Sequence, residues 1–201
     1  MDPEVRASGR LAEAFSYAER LHRNQIRKKT LAPTLSHLMT VASLVQENGG
    51  DESEAIAALL HDGPEDCAGV ETLHEIRRLF GDRVAHIVEG CTDSLETPPP
   101  PWLERKKSYI AHLPSANDSI LLVSLADKVH NVRSLVAAHR SAGATFWKRL
   151  SVTREQTLWY YESLLRVFME TRSARCVGLT QELAHALDEL RRLLGESQIP
   201  A

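Results

Sequence analysis

The chain has 201 residues, enough to bury a core without disulfides, and we expect it to form one domain over residues 1–201. Its formal net charge of −3 provides no general attraction to nucleic acid or anionic lipid, and no stretch reaches the roughly 18 apolar residues of a membrane span. We therefore expect no nucleic-acid or membrane partner. The three cysteines lack the even number of a disulfide framework, so we expect reduced thiols and a cytoplasmic protein.

Helical periodicity recurs along the chain. Apolar residues spaced by three and four positions predict a helix from about residue 8 to 25, and Ser36 can cap a second helix that starts at His37. Further helices are predicted over residues 71–80, 82–89, 102–112, 119–140, 147–172 and 180–194. The sequence therefore predicts an all-α bundle of roughly eight to ten helices, with a core over about residues 8–172 and a separate C-terminal helix.

An apolar helix ends in two polar side chains near the middle of the chain. Residues 55–60 have no polar face, and Asp51 or Ser53 can cap the helix that contains them. A helix that is apolar all round normally lies inside a protein, so His61 and Asp62 should be buried. A buried carboxylate is costly unless it is paired or binds a metal, and transition metals accept imidazole. Both residues are therefore candidate metal ligands.

Asp127 lies in a second apolar run and also needs a partner. It can cap or form a salt bridge within a helical core, or it can bind a metal. Asn131 follows one helical turn later on the same face. Together with His37 and the His61-Asp62 pair, Asp127 would complete a set of two histidines and two carboxylates suited to Mn²⁺, Fe²⁺, Co²⁺ or Zn²⁺.

The order and spacing of these residues resemble those of HD-superfamily phosphohydrolases. Within that superfamily, HDGPED at residues 61–66 and LADKVHNVR at residues 125–133 are similar to motifs in the hydrolase domain of RelA/SpoT proteins and in small alarmone hydrolases. The likeness covers roughly residues 11–135. It implies an HD-type helical domain and an enzyme that removes the 3′-diphosphate of (p)ppGpp, releasing pyrophosphate.

The resemblance also implies roles for individual residues. The implied metal ligands are His37, His61, Asp62 and Asp127, and the implied ion is Mn²⁺, with another divalent transition metal as the alternative. The implied nucleotide contacts are Arg27, Lys28, Lys29, Asn131 and Tyr160. Glu65 and Asp66 would flank the water that attacks phosphorus.

The residue types fit this chemistry independently. A bound divalent ion lowers the pKa of its water from about 15.7 toward 7. A nearby carboxylate can orient that water or accept its proton, a role we assign first to Glu65 and second to Asp66. His22, which shortly precedes the basic residues Arg27, Lys28 and Lys29, is a further candidate for phosphate contact. Lys128 can either bind phosphate or pair with a carboxylate near the metal.

Departures from the family pattern leave alternatives open. Pro64 lacks an amide donor and would clash with a preceding helical turn, so the acidic pair after it is expected to be aimed differently. Thr34 stands where an aromatic residue is usual, so stacking on the base is expected to be weaker or to come from elsewhere. The alternatives are hydrolysis of (p)ppApp or of the NADPH 2′-phosphate, and a non-catalytic alarmone sensor. Assembly into a homo-oligomer also stays open.

Overall fold

The computed structural model describes residues 9–27, 30–171 and 173–195, and helices form nearly all of their regular structure. The α-helices are α1 (Gly9–His22), α2 (Thr34–Glu47), α3 (Glu52–Leu60), α4 (Gly63–Asp66), α5 (Val70–Phe80), α6 (Asp82–Cys91), α7 (Trp102–His112), α8 (Asp118–Ala142), α9 (Ala144–Trp147), α10 (Arg154–Thr171) and α11 (Val177–Leu194). Over these ranges the β-type pairing is limited to an isolated bridge between Ile26 and Pro33, and the predicted all-α fold is confirmed. No helix in the described part of the chain has the length and apolar character needed to cross a bilayer.

Helix α8 lies at the centre of the bundle, where it packs against α2, α3, α6, α10 and α11. The Asn117 side chain accepts a hydrogen bond from the Ile120 amide at 3.0 Å and so caps the start of the helix. Every residue from 120 to 129 is buried. Asp127 is therefore held inside the bundle, as the apolar run around it predicts.

Helix α3 begins with a capping box, in which Asp51 and Glu54 each accept a hydrogen bond from the other's backbone amide. Residues 55–60 are all buried, which confirms the prediction drawn from their lack of a polar face. The helix ends at Leu60, so His61 follows directly into the interior, with 4% of its surface exposed.

Glu54 also links two distant parts of the chain. Its buried carboxylate accepts hydrogen bonds from the Arg175 guanidinium at 2.7 and 2.8 Å and from the Ser119 hydroxyl at 2.6 Å. Burial opposes ionisation, but the bonds from Arg175 and Ser119 lower the pKa of Glu54 to about 2. The segment before α11 is thereby tied to α3 and to the start of α8.

The connection between α1 and α2 folds back on itself. The Arg27 amide donates to the Ala32 carbonyl at 2.9 Å, and the Thr34 amide donates to the Gln25 carbonyl at 3.0 Å. These bonds place Arg27 close to the start of α2. The prediction that Ser36 caps α2 is wrong, because the helix already begins at Thr34 and the Ser36 hydroxyl donates to the Pro33 carbonyl.

The predicted continuous helix over residues 147–172 is also wrong. Trp147 ends α9, and α10 starts only at Arg154. The Thr153 hydroxyl accepts from the Gln156 amide at 3.2 Å, while the Gln156 side chain accepts from the Thr153 amide at 2.9 Å. This reciprocal pair is a helix-start signal that overrides the apolar periodicity before it.

Candidate active site

Three of the predicted metal ligands converge from separate helices. His37 in α2, His61 just after α3 and Asp127 in α8 offer ligand atoms that all lie within 4.8 Å of one another. Asp127 Oδ1 is 3.1 Å from His37 Nε2 and 3.6 Å from His61 Nε2. All three residues are buried. Positions 90 residues apart in the sequence therefore meet at one place in the core.

Asp62 completes the same cluster. Its Oδ1 lies 3.2 Å from His61 Nε2, and its Oδ2 lies 3.5 Å from His37 Nε2. The Asp62 side chain is 28% exposed, so it faces the opening while the other three residues form the floor. The four predicted ligands thus lie together.

The donor set of this cluster fits a divalent cation. The Nε2 atoms of His37 and His61 are buried and lack a hydrogen-bond partner, although carboxylate oxygens lie only 3.1–3.6 Å away. His61 Nδ1 lies 2.8 Å from the Ala58 carbonyl, so Nδ1 carries the proton in this contact and Nε2 presents its lone pair. Two imidazole lone pairs facing carboxylates form a typical metal-binding arrangement.

Lys128 and Asn131 hold the Asp127 carboxylate, and Arg27 supports Asn131. Lys128 Nζ lies 2.6 Å from Asp127 Oδ2, and the Asn131 amide donates to Oδ1. Arg27 in turn donates to the Asn131 side-chain oxygen at 2.5 Å. Burial opposes ionisation, but the charge of Lys128 holds the pKa of Asp127 well below its usual range. Of the two roles open to Lys128, the structure shows the carboxylate pair.

His130 contacts the cluster from behind. On an ideal helix its side chain would point about 100° away from Asn131, yet its Nδ1 lies 2.5 Å from His37 Nδ1. The two rings are 4.7 Å apart between centroids. If His37 binds a metal through Nε2, its Nδ1 carries the proton and donates to His130. Residue spacing along one helix does not indicate this contact, and His130 is not among the predicted site residues.

Glu65 and Asp66 both face the cavity beside the cluster. Glu65 Oε1 accepts a hydrogen bond from the Asp93 amide at 2.5 Å. Desolvation by the surrounding protein, against the attraction of Lys106, raises the pKa of Glu65 to about 7. Desolvation and the nearby charge of Asp62 also raise the pKa of Asp66. Glu65 therefore has the protonation behaviour of a general base near neutral pH.

Pro64 does not remove the acidic pair from the site. Helix α3 has already ended at Leu60, and Pro64 is the second residue of the four-residue helix α4. Amides in the first turn of a helix have no partner within that helix, so proline costs no hydrogen bond there. The expected clash is avoided because the chain turns at His61 and Asp62 before α4 begins.

Asp93 organises the side of the cavity next to Glu65. Its side chain is 3% exposed, and Oδ2 pairs with Arg105 at 2.5 Å and with Lys106 at 2.7 Å. The ammonium group of Lys106 also lies 4.9 Å from the centre of the Tyr160 ring. Lys106 is thus held in the cavity lining by an ion pair and an aromatic ring.

These groups line one cavity of about 540 Å³, a size typical of small-molecule sites. The predicted substrate contacts among its lining residues are Arg27, Lys128, Asn131 and Tyr160. His22 is buried at the end of α1, where Nδ1 lies 2.6 Å from the Gln25 side-chain oxygen, and it is not among the lining residues. Lys28 and Lys29 lie outside the described residues.

Comparison with known proteins identifies the family. The family model described as HD domain matches residues 14–151, more than half of the chain. The chain belongs to the HD domain family. The matched segment contains the four clustered residues and the acidic pair, so the HD motif at His61-Asp62 coincides with the geometric site.

Relatives of this HD domain protein include vertebrate enzymes. The guanosine-3′,5′-bis(diphosphate) 3′-pyrophosphohydrolase MESH1 of Xenopus tropicalis is 38% identical over 128 residues, covering 62% of this chain and 69% of the relative. The mouse protein of the same name is 36% identical over 186 residues, covering 91% and 93%. A solved structure of a metazoan ortholog of SpoT that hydrolyses ppGpp aligns with a TM-score of 0.69 and 27% identity, covering 97% and 98%.

Several cavity residues of this HD domain were not among the predicted site residues. They are Asp93, Trp102, Lys106 and Tyr109. All four come from α7 and from the α6–α7 connection, which contains prolines at positions 98–101. The four-residue spacing of Trp102 and Lys106 on one helix face is the signal that could have placed them together.

Proposed function

We propose that this chain is a divalent-metal-dependent phosphohydrolase that removes the 3′-diphosphate from guanosine 3′,5′-bis(diphosphate) and releases pyrophosphate. The substrate class comes from the names of the relatives, and the observation that supports the activity most directly is the meeting of His37, His61 and Asp127 beside Glu65. A cation site next to a carboxyl group that can accept a proton suits metal-assisted hydrolysis.

The residues proposed to hold the ion are His37, His61, Asp62 and Asp127. The nitrogen and oxygen donors suit Mn²⁺, which we propose as the physiological ion, as well as other divalent transition metals. When bound there, a divalent ion supplies Lewis acidity toward phosphoryl oxygens and water.

Glu65 is proposed to accept a proton from the attacking water. A carboxyl group with a pKa of about 7 is substantially ionised at neutral pH and still basic enough to accept that proton. Its bond from the Asp93 amide fixes one carboxylate oxygen and leaves the other for water. Asp66, which lines the same cavity, is proposed to orient the water or the phosphate.

The phosphate groups are proposed to meet the cationic side of the cavity. Arg27 lies next to Asn131, and Lys106 lies next to Asp93, so the two cations approach the cluster from different elements. Lys28 and Lys29 remain proposed contacts from the resemblance. Cationic side chains would neutralise the two diphosphates through charge-assisted hydrogen bonds.

The test is a product analysis with the purified chain loaded with Mn²⁺. Its substrates would be guanosine and adenosine 3′,5′-bis(diphosphates) and NADPH. We expect pyrophosphate from the guanosine substrate, and Glu65→Gln should retain Mn²⁺ while losing turnover. Orthophosphate from NADPH alone would instead identify a phosphatase of the 2′-ester. Binding of the guanosine substrate without any product would identify a sensor and overturn the proposal.

A further inference from the structure

One wall of the cavity is aromatic. Its aromatic lining residues are Trp102, Tyr109, Tyr160 and Tyr161. The three tyrosines are between 3% and 5% exposed, whereas Trp102 is half-buried. Trp102 is therefore the least buried of the four aromatic side chains that line the cavity.

The neighbours of Trp102 support its ring without stacking on it. The Tyr160 centroid lies 6.0 Å from that of Trp102, at an interplanar angle of 69°. The Trp159 centroid lies at 6.2 Å, at 63°. Both contacts are edge-to-face, an arrangement that holds an aromatic side chain by its quadrupole. The indole is thus positioned by two rings, and neither of them is a parallel partner.

The backbone around Trp102 is equally constrained. Trp102 is the first residue of α7, directly after Pro101 at the N-cap position. Arg105 donates from Nε to the Pro100 carbonyl and from its amide to the Pro101 carbonyl, both at 3.1 Å. Proline fixes φ and removes backbone freedom, so little entropy is lost when a ligand meets this ring.

The same helix face carries a cation. Lys106 follows Trp102 by four residues, and its ammonium group lies beside Asp93 and over the Tyr160 ring. The contacts run from Glu65 through Asp93, Lys106 and Tyr160 to Trp102. Helix α7 therefore presents both a positive charge and an aromatic ring to the cavity.

The connection between α1 and α2 contributes no aromatic side chain to the cavity. The connection from Gln25 to Ser36 contains no aromatic residue, and Thr34 lines the cavity at the end of that connection. A nucleotide whose 3′-diphosphate lies at the cluster needs a surface for its base elsewhere in the cavity.

We propose that Trp102 stacks on the purine base of the nucleotide substrate and sets the affinity for that substrate, a proposal that rests on the proposed function. Aromatic stacking on a base changes affinity by about 5- to 150-fold and tolerates any base, because every base has a π-face. Trp102 should therefore support guanine and adenine nucleotides alike, so that discrimination between them lies with other residues.

The experiment compares Trp102→Leu, which keeps apolar bulk, with Trp102→Phe, which keeps a ring. Trp147→Leu is the matched control, because Trp147 packs against Phe146 and His139 on α9 and is not a lining residue of the cavity. Each Mn²⁺-loaded full-length variant would be assayed for KM and kcat with guanosine 3′,5′-bis(diphosphate) and for competitive inhibition by inorganic pyrophosphate. Calorimetric titration with GDP would measure base-dependent binding without turnover.

For Trp102→Leu we expect KM and the GDP dissociation constant to rise about 5- to 150-fold, with kcat within about threefold of the parent. Pyrophosphate inhibition should not change, because pyrophosphate has no base. Trp102→Phe should recover most of the affinity. An unchanged GDP affinity in Trp102→Leu, an equal loss in Trp147→Leu, or a parallel loss of pyrophosphate inhibition would overturn the inference. If the parent released no pyrophosphate, the proposed function would fail, and the GDP titration would still decide the role of Trp102.

Discussion

At the level of single residues, Glu65 is the group whose titration should govern the reaction. Its raised pKa of about 7 means that the carboxyl group is protonated below neutral pH and becomes a competent base above it. We expect kcat/KM to rise through about pH 7 and then level off. Glu65→Gln should lower kcat about 10²- to 10⁴-fold and remove this rise, as measured in a pH–rate profile. A wild-type profile that is flat between pH 6 and 8 would contradict the assignment.

His130 should determine how well His37 holds an ion. His130→Phe removes the nitrogen that lies 2.5 Å from His37 Nδ1, so the imidazole of His37 loses its fixed orientation and tautomer. We expect Mn²⁺ affinity to fall about 10- to 100-fold, measured by calorimetric titration of the metal-free protein. His74→Phe is the matched control, because His74 is exposed on α5. Equal affinities for the two variants would show that His130 has no such role.

Single residues also show where sequence reasoning succeeds. His37, His61, Asp62 and Asp127 could be predicted because each is a polar group next to apolar runs, and the family motif fixes their order. His130 could not, because its contact depends on the ring orientations of two helices rather than on spacing along one. The partners of Asp93 could not be predicted for a related reason, since Arg105 and Lys106 lie on the far side of a proline-rich connector.

At the level of elements, the connection from α6 to α7 controls the surroundings of Glu65. Asp93→Asn would remove a buried charge that raises the pKa of Glu65 and would free Lys106, which lowers it. Both effects lower the pKa of Glu65, so the acidic limb of the pH–rate profile should move to lower pH. The amide bond from residue 93 to Glu65 is retained, which separates this electrostatic effect from a loss of backbone geometry.

The control for that prediction is Glu89→Gln, since Glu89 lies on the neighbouring helix α6 and its carboxylate instead faces Arg77. Its profile should match that of the parent. A profile of Asp93→Asn that is lower in rate but unshifted in pH would mean that Asp93 acts through packing alone.

Helix boundaries explain the remaining differences between sequence and structure. Trp102–His112 begins and ends where the sequence predicts, because proline precedes it and a proline turn follows. The break between α9 and α10 was missed because the Thr153–Gln156 pair is a local hydrogen-bond signal that apolar periodicity does not register. The clash expected for Pro64 does not occur, because a proline is costly only inside a helix and α3 has already ended before it.

At the level of the whole molecule, the Glu54–Arg175 pair joins the segment before α11 to the centre of the bundle. Arg175→Ala would leave a buried carboxylate without its main partner, so we expect the free energy of unfolding to fall by about 2–4 kcal/mol. Arg133→Ala is the control, because its pair with Glu182 is largely exposed and should contribute about 0–1 kcal/mol. Urea unfolding of the metal-free protein measures both, and equal losses would contradict the prediction.

That pair also gives a pH dependence to stability. The pKa of Glu54 is about 2 in the folded protein, below its ordinary value near 4.3 in an unfolded chain. A carboxyl group whose pKa is lower in the folded protein stabilises the fold fully above its pKa in the unfolded chain. That stabilisation is lost as the pH falls toward its pKa in the folded protein. The difference in unfolding free energy between the parent and Arg175→Ala should therefore shrink between about pH 4.5 and pH 2.

The cavity draws its parts unequally from the length of the polypeptide. The residues proposed to bind the ion or to accept the proton lie between positions 37 and 127, whereas Tyr160 and Tyr161 are contributed by α10. Helix α7, which carries Trp102 and Lys106, also lies between those positions, so ligand binding and hydrolytic chemistry are divided between helices rather than between stretches of the chain. Changes in α7 and α10 could redirect the protein toward a new phosphorylated compound while the machinery that cleaves it stays intact.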